Sequence, residues 1–143
     1  MNQREYRSME LSMPAETEYR VEGYASTFQP YVLFNDGVND FSEVIDRHAF
    51  DDTDMSDVVF LRDHQGRVLA RTKNDAVQIS VDDHGLHQRT NLGLTGASRE
   101  MFEDIETGNY SQMSFSFIVA EDHFDRETRT RVVDRVAKVF DIS

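Results

Sequence analysis

The chain has 143 residues, 38% of them hydrophobic and 10% aromatic, which fits a single domain with a hydrophobic core. It contains no cysteine, which excludes disulfides, thiol catalysis and thiolate metal sites. Its formal charge of −12, from 27 acidic and 15 basic residues, argues against a nucleic-acid-binding surface, because phosphate contacts need clustered lysine and arginine.

Most of the chain predicts short β-strands, because polar and apolar residues alternate or apolar residues run together between turn signals. The predicted strands are 4–13, 18–27, 41–45, 57–63, 68–73, 76–82, 85–92, 110–121 and 131–143. The three strands between residues 68 and 92 follow one another closely enough to predict a meander. We also expect a loop at Asn35-Asp36-Gly37, a helical turn at 47–52 and a charged hairpin loop at 122–130.

One segment, 95–109, changes to a helical period. Its apolar residues recur at four-residue spacing and give one apolar face, formed by Ala97, Met101 and Ile105. Thr95 or Ser98 can cap the start of this helix, and Gly108 fits the position just after its end. No apolar run reaches the roughly 18 residues of a membrane span, and the N-terminus lacks the apolar core of a signal peptide. We therefore expect a soluble, intracellular protein.

The fold class predicted from these elements is mainly β with one or two helices (α+β). The strands are expected to form a mostly antiparallel, closed or nearly closed β-barrel. We expect residues 1–143 to form a single domain.

The histidines offer few candidate sites. His84 and His87 have an HxxH spacing, but they straddle a predicted turn and lack the helical context of a zinc site. The acidic run at 51–54 lacks the alternating ligands and glycine of a calcium loop. We therefore predict no metal. His64 differs, because it ends an apolar strand where the strand meets a turn, a place that suits either a surface or a catalytic histidine.

Two serines stand in an otherwise apolar strand, in the stretch YSQMSFSF at 110–117. In a regular strand Gln112, Ser114 and Ser116 share one face, opposite a Met/Phe face that predicts the core. The serines could face solvent, or one could be a nucleophile. A nucleophilic serine needs a histidine within hydrogen-bonding distance and a third group to orient that histidine, which local sequence cannot show.

The order of several short motifs resembles the prohead (procapsid maturation) serine proteases of tailed bacteriophages, distant relatives of herpesvirus assemblin. Each motif is weak alone, but five occur in the family's order and cover nearly the whole chain. They are VEGYASTF at 21–28, SEVIDRHAF at 42–50, RDHQGRVLART at 62–72, DDHGL at 82–86 and IETGNYSQMSFSF at 105–117. The resemblance implies a β-barrel surrounded by helices that is often dimeric, so a homodimer is an expectation.

The resemblance also implies a Ser-His-acid triad. It places the catalytic histidine at His64 and the nucleophile at Ser114, directly after Met113. Ser116 then stands at a glycine position of the family motif and is a substitution without a catalytic role. The family's late acidic residue, usually Glu, corresponds to Asp141 in KVFDIS, with Asp134 as the fallback. In a regular last strand Asp141 shares a face with Val139 and Ala137, and Asp134 points the other way.

The function implied by the resemblance is a serine endopeptidase. It would cleave scaffold and capsid protein segments, and itself, in the host cytoplasm inside the assembling phage prohead, with no cofactor, nucleic acid or membrane. The family's chains usually continue beyond this point, so we expect a C-terminally truncated or autoprocessed form. An impaired assembly module that binds capsid or scaffold protein without cleaving it, or an unrelated β-barrel binding domain, are the alternatives.

Overall fold

The computed structural model describes residues 4–10 and 19–143, with the backbone alone at residues 9 and 10. Ten strands, one α-helix and one short 3₁₀ helix make up this part of the chain. In chain order they are β1 (Arg4–Glu10), β2 (Arg20–Thr27), β3 (Tyr31–Asn35), β4 (Asp40–Ile45), β5 (Val59–Arg62), β6 (Gln65–Arg71), the 3₁₀ helix (Thr72–Asn74), β7 (Val77–Val81), β8 (Gly85–Asn91), α1 (Gly96–Glu106), β9 (Gln112–Asp125) and β10 (Thr130–Ile142).

The strands form two sheets. The larger has seven strands, with β1, β9, β10, β4 and β3 side by side, and with β5 beside the end of β10 and β6 beside β5. The smaller sheet has the order β2-β8-β7. The long antiparallel pair β9–β10 forms the centre of the larger sheet, and β10 is parallel to both β4 and β5.

The expectation of a closed or nearly closed barrel is only partly met, because the larger sheet curls into a half-barrel. One side of β10 pairs with β4 at its start and with β5 at its end, so the sheet branches instead of closing. Among the described strands, β2, β7 and β8 pair in backbone ladders only with one another. The mainly β, single-α-helix composition is confirmed.

Several local predictions need correction. The β7–β8 hairpin of the predicted meander is present, but β6 pairs with β5, and the 3₁₀ helix then takes the chain to the smaller sheet. Residues 47–52 form turns and no helix, and β9 continues to Asp125 into the predicted charged loop. The connection between the first two predicted strands, residues 14–17, lies outside the described residues.

The helix and the core follow the predicted pattern. Thr95 caps α1 by accepting a hydrogen bond from the backbone N–H of Ser98 at 3.1 Å, and Gly108 follows the helix with a φ of +88°. Met101 and Ile105 are buried, and Met113, Phe115 and Phe117 of β9 have no exposed surface. The Met/Phe face of β9 is thus the core face, as predicted. No helix in the described part of the chain is long and apolar enough to cross a membrane.

Candidate active site

His64 lies in the tight turn between β5 and β6. Arg62 pairs with Gln65, so Asp63 and His64 form a two-residue hairpin loop, and both have positive φ, +50° and +60°. Positive φ at both loop residues is the geometry of a type I′ turn, which normally favours Asn and Gly. The backbone N–H of His64 donates to the Ser143 hydroxyl at 3.0 Å. This contact ties the hairpin to the residue that follows β10.

Ser114 lies near the start of β9, where its backbone is held from two sides. It is the ladder partner of Ser8 on β1. It also exchanges two backbone hydrogen bonds of 2.9 Å with Ser143. The neighbouring Met113 and Phe115 side chains are fully buried and anchor the strand, while the Ser114 side chain is half-buried on the other face. The hydroxyl therefore has a fixed position at the protein surface.

The side chains of His64, Ser114 and Asp141 meet in one hydrogen-bonded row. His64 Nε2 lies 2.8 Å from Ser114 Oγ, and His64 Nδ1 makes a short hydrogen bond with Asp141 Oδ1. An ionised carboxylate can only accept, so Nδ1 carries the proton, and Nε2 is free to accept the Ser114 hydroxyl proton. The structure thus brings together the three residues predicted as a triad, which stand at positions 64, 114 and 141.

A bulge in β10 sets the direction of the Asp141 side chain. Val139 pairs with Phe117 and Asp141 pairs with the adjacent Ser116, so Phe140 is the extra residue. The prediction that Asp141 shares a face with Val139 is therefore wrong, because it assumed a regular strand. Val139 joins the core face, and Asp141 lies on the serine face of the sheet.

The second carboxylate oxygen of Asp141 has partners of its own. Ser116 Oγ donates to Asp141 Oδ2 at 2.6 Å, and Arg4 Nη1 lies 3.7 Å from the same oxygen. The Tyr6 ring packs edge-on against the His64 ring, with 4.5 Å between their centroids. Asp141 is 2% exposed and Ser116 has no exposed surface, so their contact is shielded from water.

The fallback residue Asp134 lies elsewhere. Its carboxylate is 2.7 Å from Nδ1 of His123, and this hydrogen bond raises the pKa of His123. His84 and His87 also lie away from Ser114, His64 and Asp141, because both pack against the Tyr24 ring. Within residues 4–10 and 19–143, no cluster of three or more histidine or acidic side chains is arranged to hold a metal ion.

A cleft of about 370 Å³ opens beside the Ser114 hydroxyl. Besides His64 and Ser114 it is lined by Tyr6, Ser8, Asp63, Ser143 and the residues 109–112 that lead into β9. Asp63 also borders a second cavity of about 510 Å³, which lies between the β5–β6 hairpin and the start of α1. The Ser114 hydroxyl thus lies at the edge of an open cleft, and Asp63 borders both this cleft and the second cavity.

The motifs did not reveal the residues that surround this row. Ser116 contacts Asp141 across the β9–β10 ladder, whereas Tyr6 and Ser143 contact His64 in the β5–β6 turn, and all three contacts join segments that are distant in sequence. One signal was present: the departures from the family motif at Ser116 and Asp141 concern the two residues that touch each other. The two departures from the motif meet in one hydrogen bond, between Ser116 Oγ and Asp141 Oδ2.

A family model described as caudovirus prohead serine protease matches residues 4–143 of the chain. No curated protein and no solved structure matches it. The model match covers every element of the described structure, including the strands that carry Ser114 and Asp141 and the hairpin turn that carries His64.

Proposed function

Because the chain belongs to the caudovirus prohead serine protease family, we propose that Ser114, His64 and Asp141 are its nucleophile, general base and orienting acid. The observation that carries this proposal is the hydrogen-bonded row Ser114–His64–Asp141 at the edge of an open cleft. Membership of the family makes the protein a phage maturation serine protease. The assignment of roles to individual residues is our inference from their geometry.

In the proposed reaction Ser114 Oγ attacks the carbonyl carbon of a peptide bond as His64 Nε2 takes the hydroxyl proton. The C–N bond of the tetrahedral intermediate then breaks, and Nε2 gives its proton to the leaving amine. A water molecule, deprotonated by Nε2, then attacks the carbonyl carbon of the resulting ester on Ser114. The bond from this carbon to Ser114 Oγ breaks, Nε2 returns the proton to Oγ, and the new carboxyl group is released. Throughout, Asp141 accepts from Nδ1–H and stabilises the imidazolium that forms in each half of the reaction.

The proposed substrates are segments of the capsid and scaffold proteins inside the immature phage head, and a segment of the protease itself. The description of the family, which names the prohead, supports this choice of substrates. The open cleft supports a peptide substrate, since an extended chain can pass Ser114 without a buried pocket having to open. The proposed location is the assembling prohead in the host cytoplasm.

The test is co-expression with a capsid precursor that carries its scaffold segment, followed by electrophoresis of the products. We expect Ser114→Ala to abolish cleavage and labelling by a serine-directed fluorophosphonate. Ser80→Ala, at an exposed serine of β7, is the matched control and should cleave like the wild type. Full processing by Ser114→Ala would refute the proposal. A wild-type protein that binds the precursor tightly, with neither cleavage nor labelling, would favour the non-cleaving assembly module.

A further inference from the structure

A buried carboxylate can turn away from its partner unless both of its oxygens are held. The χ2 torsion of aspartate is broad and roughly two-fold, so a single hydrogen bond does not fix the plane of the carboxylate. Asp141 is 2% exposed, and water cannot replace a missing partner there. The group that holds Oδ2 therefore decides whether Oδ1 stays in place at His64 Nδ1.

Among the described residues two groups approach Oδ2, and their interactions with it differ in strength. Arg4 lies 3.7 Å away with a side chain that is 40% exposed, so solvent and salt weaken this ion pair. Ser116 Oγ donates at 2.6 Å from a residue with no exposed surface. A short, charge-assisted hydrogen bond in a dry environment is the stronger of the two.

The backbone fixes the position of the Ser116 hydroxyl. Ser116 and Asp141 are directly opposite each other in the β9–β10 ladder, so donor and acceptor cannot drift apart without breaking the sheet. Phe115 and Phe117, the neighbours of Ser116 in β9, are fully buried and stack on each other with ring centroids 4.4 Å apart. Ser116 does not line the cleft, so it has no contact with a substrate there.

We propose that Ser116 is a positioning residue: its hydroxyl fixes the plane of the Asp141 carboxylate and thereby holds His64 with Nε2 directed at Ser114. This inference rests on the proposed function of the same site. It gives Ser116 a role that its place in the motif did not indicate. Loss of the hydroxyl would leave the cleft and the nucleophile intact but let the carboxylate turn.

The test compares Ser116→Ala with Ser98→Ala. Ser98 is an equally buried serine in α1 whose hydroxyl donates to the backbone carbonyl of Leu69 at 2.5 Å, outside the cleft. Both variants lose one buried hydroxyl, so both are expected to lower the melting temperature. We expect kcat for cleavage of a purified capsid precursor to fall about tenfold or more in Ser116→Ala but not in Ser98→Ala. A loss of this size is expected when a hydrogen bond to a charged group is removed. KM should stay within about twofold of the wild-type value in both variants.

A proton NMR spectrum gives a second readout that does not depend on turnover. The Nδ1–H proton of His64, assigned by its absence in His64→Gln, should be far downfield in the wild type and in Ser98→Ala. It should move upfield or broaden in Ser116→Ala as the carboxylate loses its fixed plane. A Ser116→Ala protein with wild-type kcat and an unchanged resonance would overturn the inference, as would equal losses of kcat in the two variants.

The two proposals can fail separately. If Ser114→Ala cleaves the precursor, the proposed function itself is wrong. If Ser114→Ala is inactive while Ser116→Ala keeps full activity and an unchanged resonance, the triad stands and only the positioning role of Ser116 falls.

Discussion

The Asp141 carboxylate and the Ser116 hydroxyl face each other across adjacent strands, and this contact leaves little room for a larger side chain. Ser116 Oγ is 2.6 Å from Asp141 Oδ2, and both residues are buried. The sequence departs from the family motif at both positions, with Ser in place of Gly and Asp in place of Glu. The Ser116 side chain thus occupies the space directly beside the Asp141 carboxylate.

We therefore expect the effects of changing the two residues to be strongly coupled. Asp141→Glu alone should lower kcat/KM about tenfold or more, because the added methylene enters a space that the Ser116 side chain already fills. The double variant Ser116→Gly/Asp141→Glu should lose less than the two single losses multiplied together, since both changes disrupt the same hydrogen bond and the glycine leaves room for the longer acid. A double-mutant cycle on kcat/KM measures the coupling, and a coupling energy near zero would contradict this account.

The sequence was sufficient to predict that Ser114, His64 and Asp141 belong together, but not the contacts that orient their side chains. His64 and Ser114 stand in short motifs whose residue types are tied to their chemistry. The direction of the Asp141 side chain depends instead on the bulge at Phe140. The alternation of polar and apolar residues does not predict this bulge. The contact with Ser116 follows from the strand register that this bulge creates, so it could not be read from local sequence.

At the scale of elements, the β5–β6 hairpin holds His64 in an unfavourable backbone conformation. Asp63 and His64 both have positive φ, which costs about 1–2 kcal/mol for a residue with a Cβ. The hydrogen bond from the His64 N–H to Ser143 and the packing of the ring against Tyr6 offset part of this cost. Strain of this kind persists at a functional site where the surrounding structure maintains it.

We expect Asp63→Val to weaken the hairpin and reduce activity with it. A β-branched residue is strongly disfavoured at the φ of +50° found here, so the free energy of unfolding should fall by about 1–2 kcal/mol. The matched control is Gln65→Val, at an exposed position of β6 without positive φ, where valine suits the strand. Denaturant unfolding and the rate of fluorophosphonate labelling at Ser114 measure the two effects. Equal stability and labelling rates in the two variants would contradict the role of backbone strain.

The positions of the strands in the sequence were easier to predict than the pairing of each strand with its neighbours in the sheets. The alternating pattern correctly located both strands of the β7–β8 hairpin, because alternation reflects one buried face. The same pattern could not show that β6 turns back on β5 or that β10 lies parallel to β4 and β5. These pairings join segments far apart in sequence, and they depend on how the two sheets share the core.

At the scale of the whole molecule, a buried ion network fastens β1 to the rest of the larger sheet. Glu43 on β4 has no exposed surface, and it accepts hydrogen bonds from Arg7 at 2.8 and 2.9 Å and from Arg131 at 3.1 Å. Tyr31 donates a further short hydrogen bond to it. Arg7 lies on β1, the strand that also brings Tyr6 to the His64 ring, so the network helps to hold one wall of the cleft.

The charge of Glu43 makes this network dependent on pH. Burial opposes the charged form, but the hydrogen bonds from Arg7 and Tyr31 and the positive charges of Arg7 and Arg131 outweigh it, so the pKa of Glu43 is below its ordinary value of 4.5. A carboxyl group whose pKa is lower in the folded than in the unfolded state stabilises the fold above the unfolded value. That contribution is lost as the pH falls through the folded pKa.

We expect Glu43→Gln to lower the free energy of unfolding by roughly 2–3 kcal/mol at pH 7, because two partly buried arginines lose their shared counter-charge. The difference from the wild type should shrink as the pH falls from 4.5 towards the lower folded-state pKa of Glu43, because the unfolded wild type then binds a proton that the folded protein does not. Glu5→Gln is the control: Glu5 contacts the same two arginines but is 23% exposed, so its loss should cost about 1 kcal/mol or less. Denaturant unfolding of the three proteins between pH 7 and pH 3 measures these differences. A Glu43→Gln deficit that stays constant across this range would show that the network stabilises the fold through packing and not through charge.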